Sequence, residues 1–381
     1  MKVLIVKRYE RDFRIPFYRL LKKKLSERGI DLELHYGEPD EEEKKSIRDY
    51  IKDESIGKKV KNKYFKIKGT YLCYQPCLSL VSKADVVVVQ QGNRELFNYA
   101  LLFRRLFFKK PKLAFWGHGR NFQGNPKSLK EKFKYWYSNK VDFWIAYNEL
   151  SKKLLVDRGF DPNRIVAINN TIDSKSQIEY YDSITESQKT ALKEQYGIKP
   201  NEPVGIFCAS IYHDKQIDFL LNALSVVKAK VPSFKFLMVG KGVEDYKAVE
   251  YAKNNPGWFF YVGNKFHEEK ILYFSIADFQ TIPGAVGLNI IDSFSFRCPL
   301  ITTKIDNHGP EISYLKSHEN GIMTDVNLEE YANTIITLTS DKTQLNRLKQ
   351  GCSEARDFYS IENMANNFFN GVLTLLSKPH T

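Results

Sequence analysis

Two turns in the second half of the chain carry the residue types that hold a phosphorylated ligand. In Phe207-Cys208-Ala209-Ser210-Ile211-Tyr212-His213-Asp214-Lys215-Gln216, a β-rich run gives way to a short loop and a helical pattern that starts at Ile217. A lysine at a helix entrance can neutralise a diphosphate, and a solvent-facing loop lysine fits the same segment equally well. In Ile282-Pro283-Gly284-Ala285-Val286-Gly287-Leu288-Asn289-Ile290-Ile291-Asp292, small residues end a strand and open a helix. There the N–H groups of Gly284, Ala285, Val286, Gly287, Leu288 and Asn289 can converge on an anion. Asp292, one turn on, is spaced to take the two hydroxyls of a ribose, although a tight β–α turn with a surface Asp is common around a lone glycine pair. A third turn, Asn307-His308-Gly309-Pro310-Glu311, reads as structural. In the first half, Phe115-Trp116-Gly117-His118-Gly119-Arg120-Asn121 ends an apolar strand with glycines around a histidine. That placement favours function over a satisfied core histidine, and Arg120 and Asn121 join it as candidates for holding an acceptor. Arg14-Ile15-Pro16, at the first strand–helix turn, is a candidate for an acceptor phosphate.

These turns need strands that end beside one another. Short β-rich runs alternate with longer amphipathic stretches, the pattern of parallel α/β units. Strands are expected at Lys2–Val6, Asp31–Tyr36, Tyr64–Lys68, Asp85–Gln90, Lys112–Trp116, Asp142–Tyr147 and Arg164–Ile168. Helices fall between them near 14–28, 92–108, 127–140 and 149–158. A second series runs through Val204–Ala209, Phe234–Gly240, Trp258–Val262, Asp278–Ile282, Leu300–Thr303 and Gly321–Thr324. The fold class is therefore α/β, with two doubly wound domains facing a central cleft, since ligands of open α/β sheets sit beyond the carboxyl ends of the strands. The expected boundaries are a first domain over 1–175, a polar linker over 176–202 and a second domain over 203–357. An amphipathic terminal helix, about 358–381, is expected to pack back on the first domain.

Composition narrows the function classes. The 381 residues are 43% hydrophobic, enough for two cores. No apolar run reaches the roughly 20 residues of a membrane span, and Met1-Lys2-Val3-Leu4-Ile5-Val6 reads as a strand, not a signal peptide. Cytosolic placement is the expectation. Five scattered cysteines lack zinc-like spacing, so no metal is expected. Residues 1–150 hold 33 Lys/Arg against 18 Asp/Glu, a balance of +15, and residues 151–381 hold 25 against 27, a balance of −2. The basic excess in one half points to a negative partner or to a Lys-rich solvated surface. No nucleic-acid module appears, so an anionic membrane surface is the preferred partner. The run Leu101-Leu102-Phe103-Arg104-Arg105-Leu106-Phe107-Phe108-Lys109-Lys110 suits an interfacial helix on anionic lipid, and equally a core-facing helix with a basic outer face.

Taken together, the second-half motifs resemble the retaining GT-B glycosyltransferases of family 4. Lys215 matches the family's diphosphate lysine and Gly287-Leu288 its central Gly-Leu. Asp292 stands at the second position of the Glu-x7-Glu pair, and Pro299-Leu300-Ile301, Pro310-Glu311-Ile312 and Asn320-Gly321 match later motifs. Upstream, Arg158-Gly159-Phe160, Arg164-Ile165 and Asn169-Asn170-Thr171-Ile172-Asp173 echo the family's Gly…Lys-Ile…Asn-Gly-Ile-Asp. Two positions depart: Ser210 replaces an Arg that binds phosphate, and Gly284 replaces the first Glu, which contacts the donor sugar. The resemblance implies two Rossmann-like domains in the GT-B arrangement and metal-independent transfer from a nucleotide-sugar to a glycan or lipid-linked acceptor. With it, the basic first half places the chain peripheral to the inner face of the plasma membrane, which fits cell-surface polysaccharide synthesis (O-antigen, capsule or lipopolysaccharide). Lys215 would carry leaving-group charge and His118 would position the donor sugar. The rival readings are an inverting GT-B transferase with His118 as base, a nucleotide-sugar epimerase, and an inactive nucleotide-binding partner protein.

Overall fold

The computed structural model describes every residue except 48, 68, 120–132, 134, 135 and 379–381. The chain divides into two compact units, Met1–Asp173 with Ser360–Thr381, and Ser174–Tyr359.

The first unit is built on seven strands: β1 (Lys2–Lys7), β2 (Asp31–Tyr36), β3 (Lys58–Lys59), β6 (Val86–Gln90), β7 (Lys112–Gly117), β8 (Phe143–Ala146) and β9 (Ile165–Ala167). They lie in the order β3-β2-β1-β6-β7-β8-β9 with every pair parallel. The Val86–Val89 and Leu113–Trp116 runs are buried on both faces, which is why they read as continuous apolar segments. Helix Ile15–Ser26 carries Pro16 in its first turn, where no N–H is needed, and buries Phe17, Tyr18, Leu21 and Leu25 along one stripe. Phe17 meets Phe368 of the terminal helix Ile361–Ser377 at 5.5 Å between ring centroids, so that helix belongs to this unit's core. Gly371 permits its close approach: a Cβ there would lie 2.5 Å from Val166 Cγ1.

The expected strand near Tyr64 belongs elsewhere. Lys63–Ile67 (β4) pairs antiparallel with Thr70–Tyr74 (β5) as a separate hairpin, turning through Gly69 at φ +76°. Its mostly exposed side chains cannot fill a site in a sheet covered on both faces.

The second unit carries β10 (Val204–Cys208), β11 (Lys235–Val239), β12 (Phe259–Gly263), β13 (Phe279–Thr281), β14 (Leu300–Thr303) and β15 (Gly321–Thr324), ordered β12-β11-β10-β13-β14-β15 and all parallel. The stretch expected as a linker folds here instead. It forms helices Lys175–Ser183 and Glu186–Gln195, the second opened by a Thr185–Gln188 capping box. Ile184, Leu192 and Ile198 are buried in this unit's core, and that burial fixes an otherwise polar segment. In both sheets the strand order reverses beside the first strand, at β1/β6 and at β10/β13, and the loops leaving those carboxyl ends diverge to leave room for a ligand.

Candidate functional site

At the β10/β13 switch point the two lysine- and glycine-bearing turns meet. Lys215 ends a short 3-10 turn, His213–Lys215, after which Gln216 takes a left-handed conformation (φ +55°) and helix Ile217–Lys230 begins. Its side chain is buried; Nζ donates to the Ala285 carbonyl and to Asn289 Oδ1 (3.3 Å). Burial pushes the ammonium's pKa down to about 8. Asn289 Nδ2 in turn donates to the Cys208 carbonyl at 3.3 Å, tying helix Asn289–Ser295 to the end of β10.

Gly284 is sterically required. A Cβ there would stand 2.0 Å from the Asp214 carbonyl oxygen and 2.6 Å from Lys215 Cα, so the position cannot hold the carboxylate that the family resemblance places there. The amide beside it is used internally: Ala285 N–H donates to the Asp214 carbonyl at 2.8 Å. Val286 N–H donates to His308 Nδ1 at 3.4 Å, while His308 Nε2–H donates to the Thr303 carbonyl at 2.7 Å. Burial lowers the pKa of His308, consistent with a neutral ring held in that tautomer. The expectation that all amides of Gly284–Leu288 face an anion is corrected accordingly. Among the described residues, those of Gly284, Gly287, Leu288 and Asn289 are left without an internal acceptor outside the helices and strands.

Asp292 is buried and paired: Lys270 Nζ lies 2.7 Å from its Oδ1. Burial works against the Lys270 ammonium, but the Asp292 carboxylate outweighs it and holds the lysine's pKa above its ordinary value. Lys270 is the residue that sequence reading missed here, while His308, in the turn read as structural, holds the Val286 amide. Ser210 is exposed at the mouth of β10, one residue before buried Ile211.

In the first unit, His118 follows β7 in a loop held by two bonds, Tyr147 N–H to the Gly117 carbonyl (3.2 Å) and Arg158 Nη1 to the Gly119 carbonyl (3.2 Å). Its ring stands edge-on to Tyr147, centroids 3.9 Å apart. Arg120 and Asn121 lie outside the described residues. Arg14 is not a surface cation: it is buried, and its guanidinium donates to Asn170 Oδ1, to the Thr171 carbonyl (3.4 Å) and to Met364 Sδ (3.3 Å). Through these bonds Arg14 pins 170–171 and the terminal helix. We expect Arg14→Met to lower the melting temperature of the protein while leaving nucleotide affinity within twofold; calorimetric unfolding and titration check both.

A second cluster escaped the sequence reading. Beyond β1, Arg8 Nε lies 3.3 Å from Glu95 Oε1 and Arg8 Nη2 lies 2.8 Å from Glu43 Oε1. Lys7 Nζ sits 3.9 Å above the Trp116 ring centroid. Burial raises the Glu95 pKa to about 7 despite Arg8, and lowers that of Lys7. The adjacent Lys7-Arg8 after an apolar strand was the only signal available in the sequence.

Among the described residues, no three His, Cys, Asp or Glu side chains gather to hold a metal ion, and the five cysteines are buried free thiols.

Comparison with known proteins is consistent with this geometry. Residues 188–354 match the family model described as glycosyl transferases group 1. Alpha-monoglucosyldiacylglycerol synthase of Acholeplasma laidlawii is 25% identical over 211 residues, covering 52% of this chain and 50% of that protein. The matched stretches span about half the length of the curated relatives. A glycosyltransferase from Rickettsia africae superposes with a TM-score of 0.70 at 16% identity, covering 99% of both chains. Anabaena HepE in complex with UDP gives 0.67 at 15%, covering 98% of this chain and 100% of that one. The chain thus has the GT-B fold, and residues 188–354, within its second unit, are similar to the group 1 glycosyl transferases.

Proposed function

We propose that the protein transfers a sugar from a nucleoside-diphosphate sugar to a hydroxyl of a glycan or lipid-linked acceptor, with retention at the anomeric carbon. The observation that carries this reading is the buried Lys215 ammonium at the β10/β13 switch point, beside the unpaired amides of Gly287–Asn289. Two of its three N–H donors are held by Ala285 and Asn289, and the third is available to a phosphate oxygen. Asp292 Oδ1 accepts from Lys270, and Oδ2 can take a ribose hydroxyl. The bond from the sugar's anomeric carbon to the diphosphate oxygen breaks and one to the acceptor oxygen forms. The acceptor's proton passes to the departing diphosphate, whose charge Lys215 and the amides hold. The group 1 match and the UDP bound by HepE support a nucleotide donor. The name of the Acholeplasma relative, a monoglucosyldiacylglycerol synthase, supports a glycolipid product; synthesis of a cell-surface glycan at the inner membrane face is part of the proposal.

Incubation with UDP- and GDP-sugars and a lipid or glycan acceptor tests this by following release of the nucleoside diphosphate and the anomeric configuration of the product. An α-product from an α-donor is expected. A β-product would assign inversion, and no release with any donor would overturn the enzymatic reading. We also expect turnover to persist in EDTA within about twofold, because Lys215 and the amides supply the positive charge that a divalent ion would otherwise supply. Loss of turnover restored by manganese would contradict this.

A further inference from the structure

The first unit leaves an aromatic surface uncovered. Helix Leu96–Arg105 buries Phe97, Asn98 and Leu101 against the sheet. On its other side and just beyond its end, Phe103 is 65% exposed, Leu106 75%, Phe107 67% and Phe108 58%. Single exposed apolar residues are ordinary; a connected set is not. This set falls in two groups of touching rings on neighbouring elements. Phe103 and Phe107 pack at 5.4 Å between centroids. Tyr99, one turn before Phe103, lies 6.0 Å from Phe133, which stacks at 6.0 Å on Trp136, itself 60% exposed.

The rim of the patch is cationic. Arg104 lies 4.8 Å from the Phe108 ring centroid and Lys140 5.6 Å from that of Trp136, while Lys109 and Lys110 are exposed. Between Leu96 and Lys110 there is no Asp or Glu. Arg105 is the exception among the basic residues, because it is committed to an ion pair with Asp142. No described helix is long and apolar enough to cross a membrane.

We propose that Phe103, Leu106, Phe107, Phe108 and Trp136, rimmed by Arg104, Lys109, Lys110 and Lys140, form a docking face for anionic lipid. Charge and residue type both select this occupant. Lysine is depleted from protein–protein interfaces, whereas aromatic side chains beside lysine and arginine are the composition of interfacial membrane anchors. The +15 balance of residues 1–150 adds long-range attraction to a negative leaflet. The apolar rings would sit at the headgroup boundary while the cations meet lipid phosphates. The face shares no residue with the Lys215 site, so its failure leaves the proposed donor chemistry untouched.

Co-sedimentation with phosphatidylglycerol vesicles and with phosphatidylcholine vesicles tests the face. Pelleting is expected with the first, falling at high salt as screening shortens the Debye length, and little with the second. Phe107→Ser with Phe108→Ser should lower the partition coefficient by at least tenfold. Because both residues are exposed, the variant should keep its melting temperature and its nucleotide affinity. Tryptophan quenching gives an independent reading. Trp116 and Trp144 are fully buried and Trp258 nearly so, so aqueous iodide reports on Trp136. Phosphatidylglycerol vesicles should protect Trp136 from iodide, and the effect should vanish in Trp136→Phe. Equal binding to both vesicles, binding to neither, or binding unaffected by the serine pair would overturn the proposal. A dimer that the serine pair dissociates, with vesicle binding unchanged, would assign the face to a second copy of the chain instead.

Discussion

Replacing Lys215 by alanine is expected to lower transfer by about 10²–10³-fold, the usual loss when one preorganised donor to a developing oxyanion is removed. Ground-state nucleotide affinity should fall less, by about 1–3 kcal/mol, the range for hydrogen bonds to a charged group. The side chain is already held against Ala285 and Asn289, so little of its binding energy is lost in ordering it. Its pKa makes the prediction pH-dependent. Burial places the free lysine near pH 8, and the diphosphate binds the ammonium form. Affinity should therefore be full below about pH 8 and decline above it, approaching about tenfold per pH unit for a single linked proton. Titration calorimetry of UDP between pH 6 and pH 10 checks this (roughly two units on either side of the pKa). In Lys215→Ala the slope should disappear; a slope that survives would assign the titration to another group.

Gly284→Ala is expected to be as damaging by a different route. The new methyl carbon would sit 2.0 Å from the Asp214 carbonyl oxygen and 2.6 Å from Lys215 Cα, and both are backbone atoms that no rotamer can move. Overpacking costs about 1–3 kcal/mol, or about 2–4 °C in melting temperature per kcal/mol in a unit of this size. The strain is relieved by shifting the His213–Lys215 turn, so stabilisation by added nucleotide should be lost as well. Gly287→Ala is the control. Its φ of +58° costs about 1 kcal/mol for a residue with a side chain, but no atom lies within 4 Å of the new carbon. It should lower the melting temperature slightly and keep the nucleotide-induced shift. Differential scanning fluorimetry of the pair with and without UDP separates crowding at Lys215 from general strain.

How far the sequence reveals this site depends on how local each device is. The buried parallel strands are legible because both faces demand apolar side chains: Val86–Val89 and Leu113–Trp116 carry that demand in consecutive residues. Lys215 and the Gly284–Asp292 turn are legible because a loop between strand and helix is itself a local feature. The partners are not. Lys270 meets Asp292 across 22 residues, and only the return of the chain through β13 makes them neighbours. Arg14 looks like a phosphate ligand in sequence, and its role changes once Asn170, 156 residues away, is seen to hold it. Gly284 reads as the loss of a functional carboxylate until the approach of the Lys215 turn shows that no side chain fits. The 176–202 stretch misleads through its polarity. It buries few residues, but those few, Leu192 on the second helix and Ile184 and Ile198 beside the helices, lie in the second unit's core.

The central claim is that a nucleoside diphosphate binds at the β10/β13 switch point of the second unit. A crystal structure of the protein soaked with UDP, or with GDP should calorimetry favour it, tests that most directly. The diphosphate is expected within hydrogen-bonding distance of Lys215 Nζ and the amides of Gly287–Asn289, with the ribose against Asp292. A nucleotide bound elsewhere, with Lys215 still enclosed by Ala285 and Asn289 alone, would contradict the account.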